Sequence, residues 1–481
     1  MRNTELPPGW DLAPLADLVS IDGVLSDGDW VESKDQDPDG EVRLVQLADV
    51  GDGFFRDRSN RSLTLAKADE LRCTFIREGD VLVARMPDPL GRACIYPGGN
   101  RPAVTVVDVC VIRPGRYGVD NRWLMWAINS PQVRGQISSL QTGTTRKRIS
   151  RKNLETVQVA VPPLAEQRRV VEILEDHLSR LDAAVRDLEA AHRKVSSFRK
   201  AILLSLVPGD CPESWEVTTV GEAGAIDLGR QRHPDWHHGP EMHPYLRVAN
   251  VFEDRIDTAD VMEMDFSGVF DRYKLEPGDI LLNEGQSPHL VGRPALYRGE
   301  PAGVAFTNSL LRFRARPDVL PEWALMVFRR HLHARRFMRE VRITTNIAHL
   351  SSKRLKAVEF PIPPMEEQKR LVQRCEELLT DADALERGLS QGLQRAKSLR
   401  KALLARAFDG ALVPQNSEDE PASALLEQIR VGRASSGRSA ATVRGRQPRK
   451  AAGTTASKLA PAPSAVSSSV SRTAVQQEFE L

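Results

Sequence analysis

Residues 162–207 read PPLAEQRRVVEILEDHLSRLDAAVRDLEAAHRKVSSFRKAILLSLV. Apolar residues recur at Leu174, Leu178, Leu181, Val185, Leu188, Val195, Ile202 and Leu206, in steps of four and three, and His192 and Arg199 fill the two missing positions. This is the heptad pattern of a helix with one narrow apolar seam. Pro162–Pro163 supplies a start and Pro208–Gly209 a stop. At 1.5 Å per residue such a helix is roughly 65 Å long. A seam so narrow is not stable alone in water and demands a partner.

The partner lies in the same chain. Residues 363–412 read PPMEEQKRLVQRCEELLTDADALERGLSQGLQRAKSLRKALLARAFDGAL, and a shift of 201 residues places Pro163 on Pro364, Gln167 on Gln368 and Arg199 on Arg400. Leu181, Leu188, Val195 and Ile202 then coincide with Ala382, Leu389, Ala396 and Leu403 as equivalent seam positions. The repetition extends beyond the helices. Leu47-Ala-Asp-Val50 is echoed by Val248-Ala-Asn-Val251, and Gly79-Asp-Val-Leu82 by Gly278-Asp-Ile-Leu281. The chain is a globular unit and a long helix, twice over.

The expected fold is therefore two pseudo-repeated units of mixed α/β class, separated by two long helices in an antiparallel coiled coil. The boundaries are 1–161, 162–208, 209–361 and 362–415, with a largely disordered C-terminal extension at 416–481. Connectivity decides the antiparallel sense. A second unit some 40 Å across would not comfortably carry the chain back along about 65 Å of helix. β-rich runs are expected at Val42–Leu47, Asp80–Arg85 and Ala103–Ile112, and a helix over Arg122–Leu140 with Pro131 near a break.

Five cysteines with no CxxC pair argue against a zinc site or a disulfide framework and fit a reducing cytoplasm. No run approaches 18 apolar residues, so no membrane association is expected. Lys plus Arg (67) nearly balances Asp plus Glu (65), so only the local distribution of charge can point to nucleic acid. It does so at two places. The loop 141–152, QTGTTRKRISRK, holds Arg146, Lys147, Arg148, Arg151 and Lys152 and no acid, beside Thr144 and Thr145. In the second unit, the helix 321–341 carries Arg329, Arg330, Arg335, Arg336 and Arg339 on or near one face. It leads through Arg342 into Thr344, Thr345 and Asn346, which align with the first loop. The loops 86–92 and 283–293, the latter with Gln286 and Arg293, sit at matching places after the two Gly-Asp strands. Arg, Lys, Asn and Gln read base edges, while Arg, Lys, Ser and Thr hold phosphates. A solvated basic loop is the plain alternative.

Catalytic patterns are missing. The chain has no GxxxxGK[ST] loop, no Asn-Pro-Pro-aromatic motif and no acidic pair followed by ExK, and Gly51-Asp-Gly53 reads as a turn. The histidine-rich stretch His233–His243 has the prolines and glycine of a surface loop and no second ligand cluster to make a metal site.

The sequence as a whole resembles the specificity subunits of type I restriction–modification systems over about residues 6–430. The resemblance rests on 161–168 (VPPLAEQR) and 362–369 (IPPMEEQK), each after a β-like run, on 143–149 (GTTRKRI), and on 407–415 (AFDGALVPQ). It implies a non-catalytic, cytoplasmic reader of double-stranded DNA. Each unit would recognise half of a bipartite, asymmetric site in a system that methylates or cleaves foreign DNA. It also implies two methyltransferase subunits on the central helices, with Glu166, Gln167, Glu367 and Gln368 as docking residues, and restriction subunits joining later. S-adenosylmethionine, ATP and Mg would belong to those partners, and this chain would need no cofactor. The second unit departs from the family's basic loop, so its phosphate contacts are expected from the preceding Arg-rich helix. The competing expectation is a coiled-coil scaffold that binds only protein.

Overall fold

The computed structural model describes residues 6–87, 89–143, 146–344 and 347–435. Two helices dominate it, Leu164–Leu206 and Met365–Phe408. They run antiparallel, and reciprocal ion pairs set the register. Arg199 bonds Asp383 and Glu386, and the equivalent Arg400 bonds Asp182 at 2.7 Å. His192 lies 3.6 Å from Glu386. The polar residues that interrupt the seam are thus matched across it.

The ends of the rod are built into the units. In the first, Val170, Val171, Leu174 and Leu178 from the start of one helix share a core with Leu404, Ala407 and Phe408 from the end of the other. Trp123 packs on Phe408 with ring centroids 6.2 Å apart. In the second unit the roles exchange, with Ile202 and Leu203 beside Leu371 and Cys375. Neither unit closes its core without both helices, which fixes their orientation. Between the ends the rod is only two helices thick, and burial falls to Val195, Ala382 and Ala396.

Each unit is pinned to the rod by an antiparallel strand pair that joins its first strand to the strand entering its long helix: Asp11–Pro14 with Gln158–Val161, and Glu216–Thr219 with Glu359–Ile362. A four-stranded antiparallel sheet follows. Its order in the first unit is Val24–Asp27, Val109–Arg113, Val81–Ala84, Ala93–Ile95; in the second it is Gly224–Leu228, Leu310–Ala315, Ile280–Asn283, Pro294–Leu296. A smaller sheet in each unit contains one parallel pair, Val42–Val45 with Ala103–Thr105 and Met242–Leu246 with Ala305–Phe306.

The repeated Gly-Asp turn has a structural cause. The buried Asp80 accepts from the Arg77 N–H (2.8 Å) and from Arg113 Nε (2.6 Å). Asp279 repeats this with Glu276 N–H (2.9 Å) and Arg314 Nε (2.7 Å). Gly79 and Gly278 adopt φ of +88° and +100°, where a side chain would be strained.

Two expectations change, and one element is added. Ala103–Ile112 is not one strand, because the turn at 106–108 carries the chain from one sheet to the other. The second long helix ends at Phe408, where Gly410 (φ +70°) terminates it, rather than at 415. The segment after 415 is ordered as far as 435, since a helix over Ala422–Ser435 docks on the first unit. Ala422, Leu425 and Ile429 are buried there, and Arg433 donates to the Ala16 carbonyl at 2.7 Å. Three apolar residues at helical spacing suffice to dock the helix on the groove of the first unit. The rest of the extension, 436–481, lies outside the described residues.

Candidate nucleic-acid interface

In the first unit the basic loop is a hairpin. Thr142 and Arg148 exchange backbone hydrogen bonds of 2.8 and 2.9 Å. Gly143 (φ +95°) makes the turn, and a Cβ there would lie 2.4 Å from the Arg146 carbonyl oxygen. The base is anchored by Ile149, fully buried, whose N–H reaches the Arg85 carbonyl at 3.1 Å while Arg85 Nε returns to the Ile149 carbonyl at 3.0 Å. Arg85 is held in turn by Asp27. Above this anchor Arg146, Lys147 and Arg148 are exposed and have no acidic partner among the described residues. Thr144 and Thr145 lie outside the described residues. Ser150 caps the short helix Arg151–Glu155, on which Arg151 turns back to Glu155 (3.4 Å) and Lys152 points to solvent.

The second unit has a hairpin at the same place, Arg342–Thr344 with Ile347–His349, and Thr345 and Asn346 lie outside the described residues. A third strand, Gly285–Gln286, pairs with Ala348 and His349, so the structure joins two loops that are far apart in sequence. Gln286 is half-buried, with its amide oxygen accepting from the Ser287 N–H at 3.1 Å. Arg293 lies over the Phe252 ring, 4.7 Å from its centroid, in a cleft of about 620 Å³ that also receives Lys200 and Arg335.

The Arg-rich helix is not one basic face. It ends at His333, the chain turns through Arg335 in a left-handed conformation (φ +53°), and a 3-10 turn follows over Arg336–Arg339. Arg329 pairs with Glu253 (2.9 Å), and Arg336 with Glu340 and Glu359 (both 2.7 Å). Burial alone would raise the Glu253 carboxyl, but bonds from His333 and Arg329 outweigh it and hold the group down at about 2. Arg335, Arg339 and Arg342 are exposed and have no acidic partner among the described residues. Arg92, which could have served the matching loop of the first unit, is buried and bonds the backbone carbonyls of Leu47 (2.7 Å), Val50 (2.6 Å) and Pro89 (3.0 Å).

Sequence reasoning missed the apolar half of this surface. Ile343 and Ile347, 53% and 47% exposed, sit on the second hairpin beside Arg342, and Trp30 stands 70% exposed on the first unit. Single exposed hydrophobes are ordinary on a surface, but two on one hairpin make a small apolar patch, and a methyl-bearing side chain suits the thymine methyl group. The histidine-rich stretch is a 3-10 turn whose Trp236 lies under Arg230 (4.1 Å), while His243 stacks on Phe270 (3.5 Å). No group of three metal-ligating side chains occurs among the described residues.

Three of the four docking residues are a correction. Gln167, fully buried, accepts from the Asp120 N–H (2.9 Å) and donates to the Pro162 carbonyl (3.0 Å). Gln368 accepts from the Leu320 N–H and donates to the Asp318 and Pro363 carbonyls, all at 2.9 Å. Glu166 is buried and accepts from Trp10 Nε1 (3.1 Å) and Gln415 (2.9 Å), and Glu367 accepts from Trp215 Nε1 (3.1 Å). Burial pushes the Glu166 carboxyl up against the opposing pull of those donors. Glu166, Gln167 and Gln368 are therefore buried in the clip between each unit and its own helix and are not offered to a partner, while Glu367 is half-buried and also pairs with Arg370 at 3.2 Å.

Comparison with known proteins decides the family. The model of the type I restriction modification DNA specificity domain matches residues 7–189 and again 212–395. The chain belongs to that family. Its two matches coincide with the two unit-plus-helix repeats. The EcoKI specificity subunit of Escherichia coli K12 is 28% identical over 347 residues, covering 68% of this chain and 75% of the relative. The StySPI specificity subunit of Salmonella potsdam is 27% identical over 350 residues, covering 68% and 74%. Among solved structures, the HsdS subunit of Thermoanaerobacter tengcongensis aligns with a TM-score of 0.54 at 21% identity, over 85% of this chain and 99% of that one. A chain from a study of complex assembly and conformational transition in the type I R-M system aligns with a TM-score of 0.67, also at 21% identity, over 85% and 100%. The specificity subunit is a DNA-recognition component and not itself an enzyme. No helix among the described residues is long and apolar enough to cross a membrane.

Proposed function

We propose that this specificity subunit reads a bipartite, asymmetric duplex site, one half with each unit, and carries two methyltransferase subunits on its rod. The observation that carries the reading is the pair of hairpins, built alike on related units at opposite ends of a rigid spacer and furnished differently. The first presents Arg146, Lys147 and Arg148, the second Arg342 with Ile343 and Ile347. Equivalent position with different chemistry is what two unlike half-sites require. The cations supply sequence-independent attraction to phosphate, and the side chains that differ supply discrimination.

The rod supports the partner reading. With the heptad written abcdefg and the seam at a and d, antiparallel pairing sets g beside g on one face. There Phe198, Leu385 and Leu399 are 44%, 56% and 51% exposed, on either side of a waist formed by Ala191 and Gly392. The two-fold relation makes this two apolar patches, each beside one unit, which fits two copies of one partner. Adenine methylation from S-adenosylmethionine, and cleavage driven by ATP with Mg, are the work of those methyltransferase and restriction subunits.

A map of N6-methyladenine across the host genome, with and without this gene, tests the reading. Loss of methylation at one split, asymmetric motif is the expected result. An unchanged map, in a strain whose methyltransferase is expressed, would leave a protein-binding scaffold as the better description. Phe198→Glu with Leu399→Glu should abolish co-purification of the methyltransferase while leaving the chain folded.

A further inference from the structure

The face of the rod opposite the apolar patches is charged, and its charge is one-sided. It is formed by the e and b positions of both helices. Between residues 182 and 201 and between 383 and 401 these positions hold Arg186, Arg193, Lys200, Arg387, Lys397 and Lys401, all exposed and none with an acidic partner among the described residues. The carboxylates at e are Asp182 and Asp383, already held by Arg400 and Arg199, and Glu189. Ser196 and Ser390 complete the e row. A structural role for the six cations would require partners on the rod, and they have none. Ordinary surface charge on a helix balances in sign, and here, with Asp182 and Asp383 paired, the six cations stand against Glu189 alone.

The stripe runs from one unit to the other. Toward the end of each long helix the e positions Leu203 and Leu404 are buried in the unit cores. Lys200 lines the same cleft of the second unit as His289, Arg293 and Arg335. In the first unit, Arg122 and Trp126 bond Glu175, another e position. The register set by the Arg199 and Arg400 ion pairs orders the cations along the axis as Lys401, then Lys397 with Arg186, then Arg193 with Arg387, then Lys200. At 1.5 Å per residue they span about 30 Å. At 3.4 Å per base pair that is about nine base pairs of B-form duplex.

We infer that this stripe binds the sugar–phosphate backbone of the unread DNA between the two half-sites, so that the rod is a third DNA-contacting element and not only a spacer. The inference rests on the proposed DNA reading and adds to it a surface in the coiled coil. Its physical consequence is that affinity depends on the charge of a segment whose sequence does not matter. Each phosphate neutralised by a cation releases condensed counterions, which contributes about 0.9 to the slope of log affinity against log salt.

The test uses the full chain, with its methyltransferase subunits where they co-purify, and a duplex carrying the methylated motif. Arg186, Arg193, Lys200, Arg387, Lys397 and Lys401 are all replaced by Gln. The salt slope should fall by as much as about 5 if all six touch phosphate. The motif read should stay the same, and helix content and unfolding midpoint should hold, because these side chains are exposed and unpaired. Neutral methylphosphonate linkages placed only in the spacer should lower the slope of the unsubstituted protein and leave the variant's unchanged. Specific binding with an undiminished slope in the six-fold variant overturns the inference and leaves the hairpin reading standing. Absence of specific binding by the unsubstituted protein overturns both.

Discussion

The clip formed by Gln368 permits a quantitative prediction. Replacing it by Leu keeps the volume and removes three hydrogen bonds, from the Leu320 N–H and to the Asp318 and Pro363 carbonyls. Asp318 is exposed, so water can replace the bond to its carbonyl. The Leu320 N–H and the buried Pro363 carbonyl are left without a partner. At about 1–3 kcal/mol for each orphaned buried group, Gln368→Leu should cost roughly 2–6 kcal/mol in the second unit. Gln167→Leu orphans the Asp120 N–H and the Pro162 carbonyl and should cost about the same in the first. Denaturant unfolding followed by fluorescence reads each unit, since Trp215 and Trp323 pack edge to face in the second and Trp123 and Trp126 lie in the first. A loss below about 1 kcal/mol with unchanged DNA affinity would refute the view that this glutamine fixes the unit on the rod. Glu367→Gln is the control, because an amide oxygen still accepts from Trp215 Nε1.

Other consequences follow from single contacts. His331 is buried, donates from Nε2 to the Glu359 carbonyl (3.0 Å) and faces Arg330 through Nδ1, an arrangement that suits the neutral ring. Burial, reinforced by Arg330 and Arg336, pushes it down to about 4 against the pull of Glu359. Its stabilisation is present above the unfolded value of about 6.5 and is lost as pH falls through 4, so the second unit should lose about 2 kcal/mol between pH 7 and 5. His331→Asn should flatten that dependence in melts recorded against pH, and an unflattened curve would assign the acid sensitivity elsewhere. Ile429→Ala should cost the first unit about 2–5 kcal/mol, and truncation after Gln415 at least as much; stability equal to the full chain would show the C-terminal helix to be dispensable. Neutralising Arg146, Lys147 and Arg148 together should reduce the salt slope by up to about 2.7 without changing the melting midpoint, and an unchanged slope would remove the hairpin from the DNA contact.

The architecture was legible because it is periodic. A seam in steps of four and three, terminal proline pairs and a 201-residue offset demand two long helices, and the length of those helices demands an antiparallel return. The basic hairpin was legible as a run of cations in which no acid can form an ion pair. The roles of individual polar residues were not. Glu166, Gln167, Glu367 and Gln368 recur in both copies, but recurrence within a chain cannot separate a residue used inside each copy from one offered outward. Arg329, Arg336, Arg335 and Arg339 look alike in sequence, and only the break at Ala334 and the positions of Glu253 and Glu359 divide the paired from the exposed. Ile343 and Ile347 read as ordinary strand residues until the sheet shows them facing solvent. Local periodicity is a property of neighbours along the chain, so the sequence by itself determined the rod, the repeat and the two-fold plan. Burial, hydrogen bonding and charge pairing join residues up to 417 positions apart, and those only the tertiary structure decided.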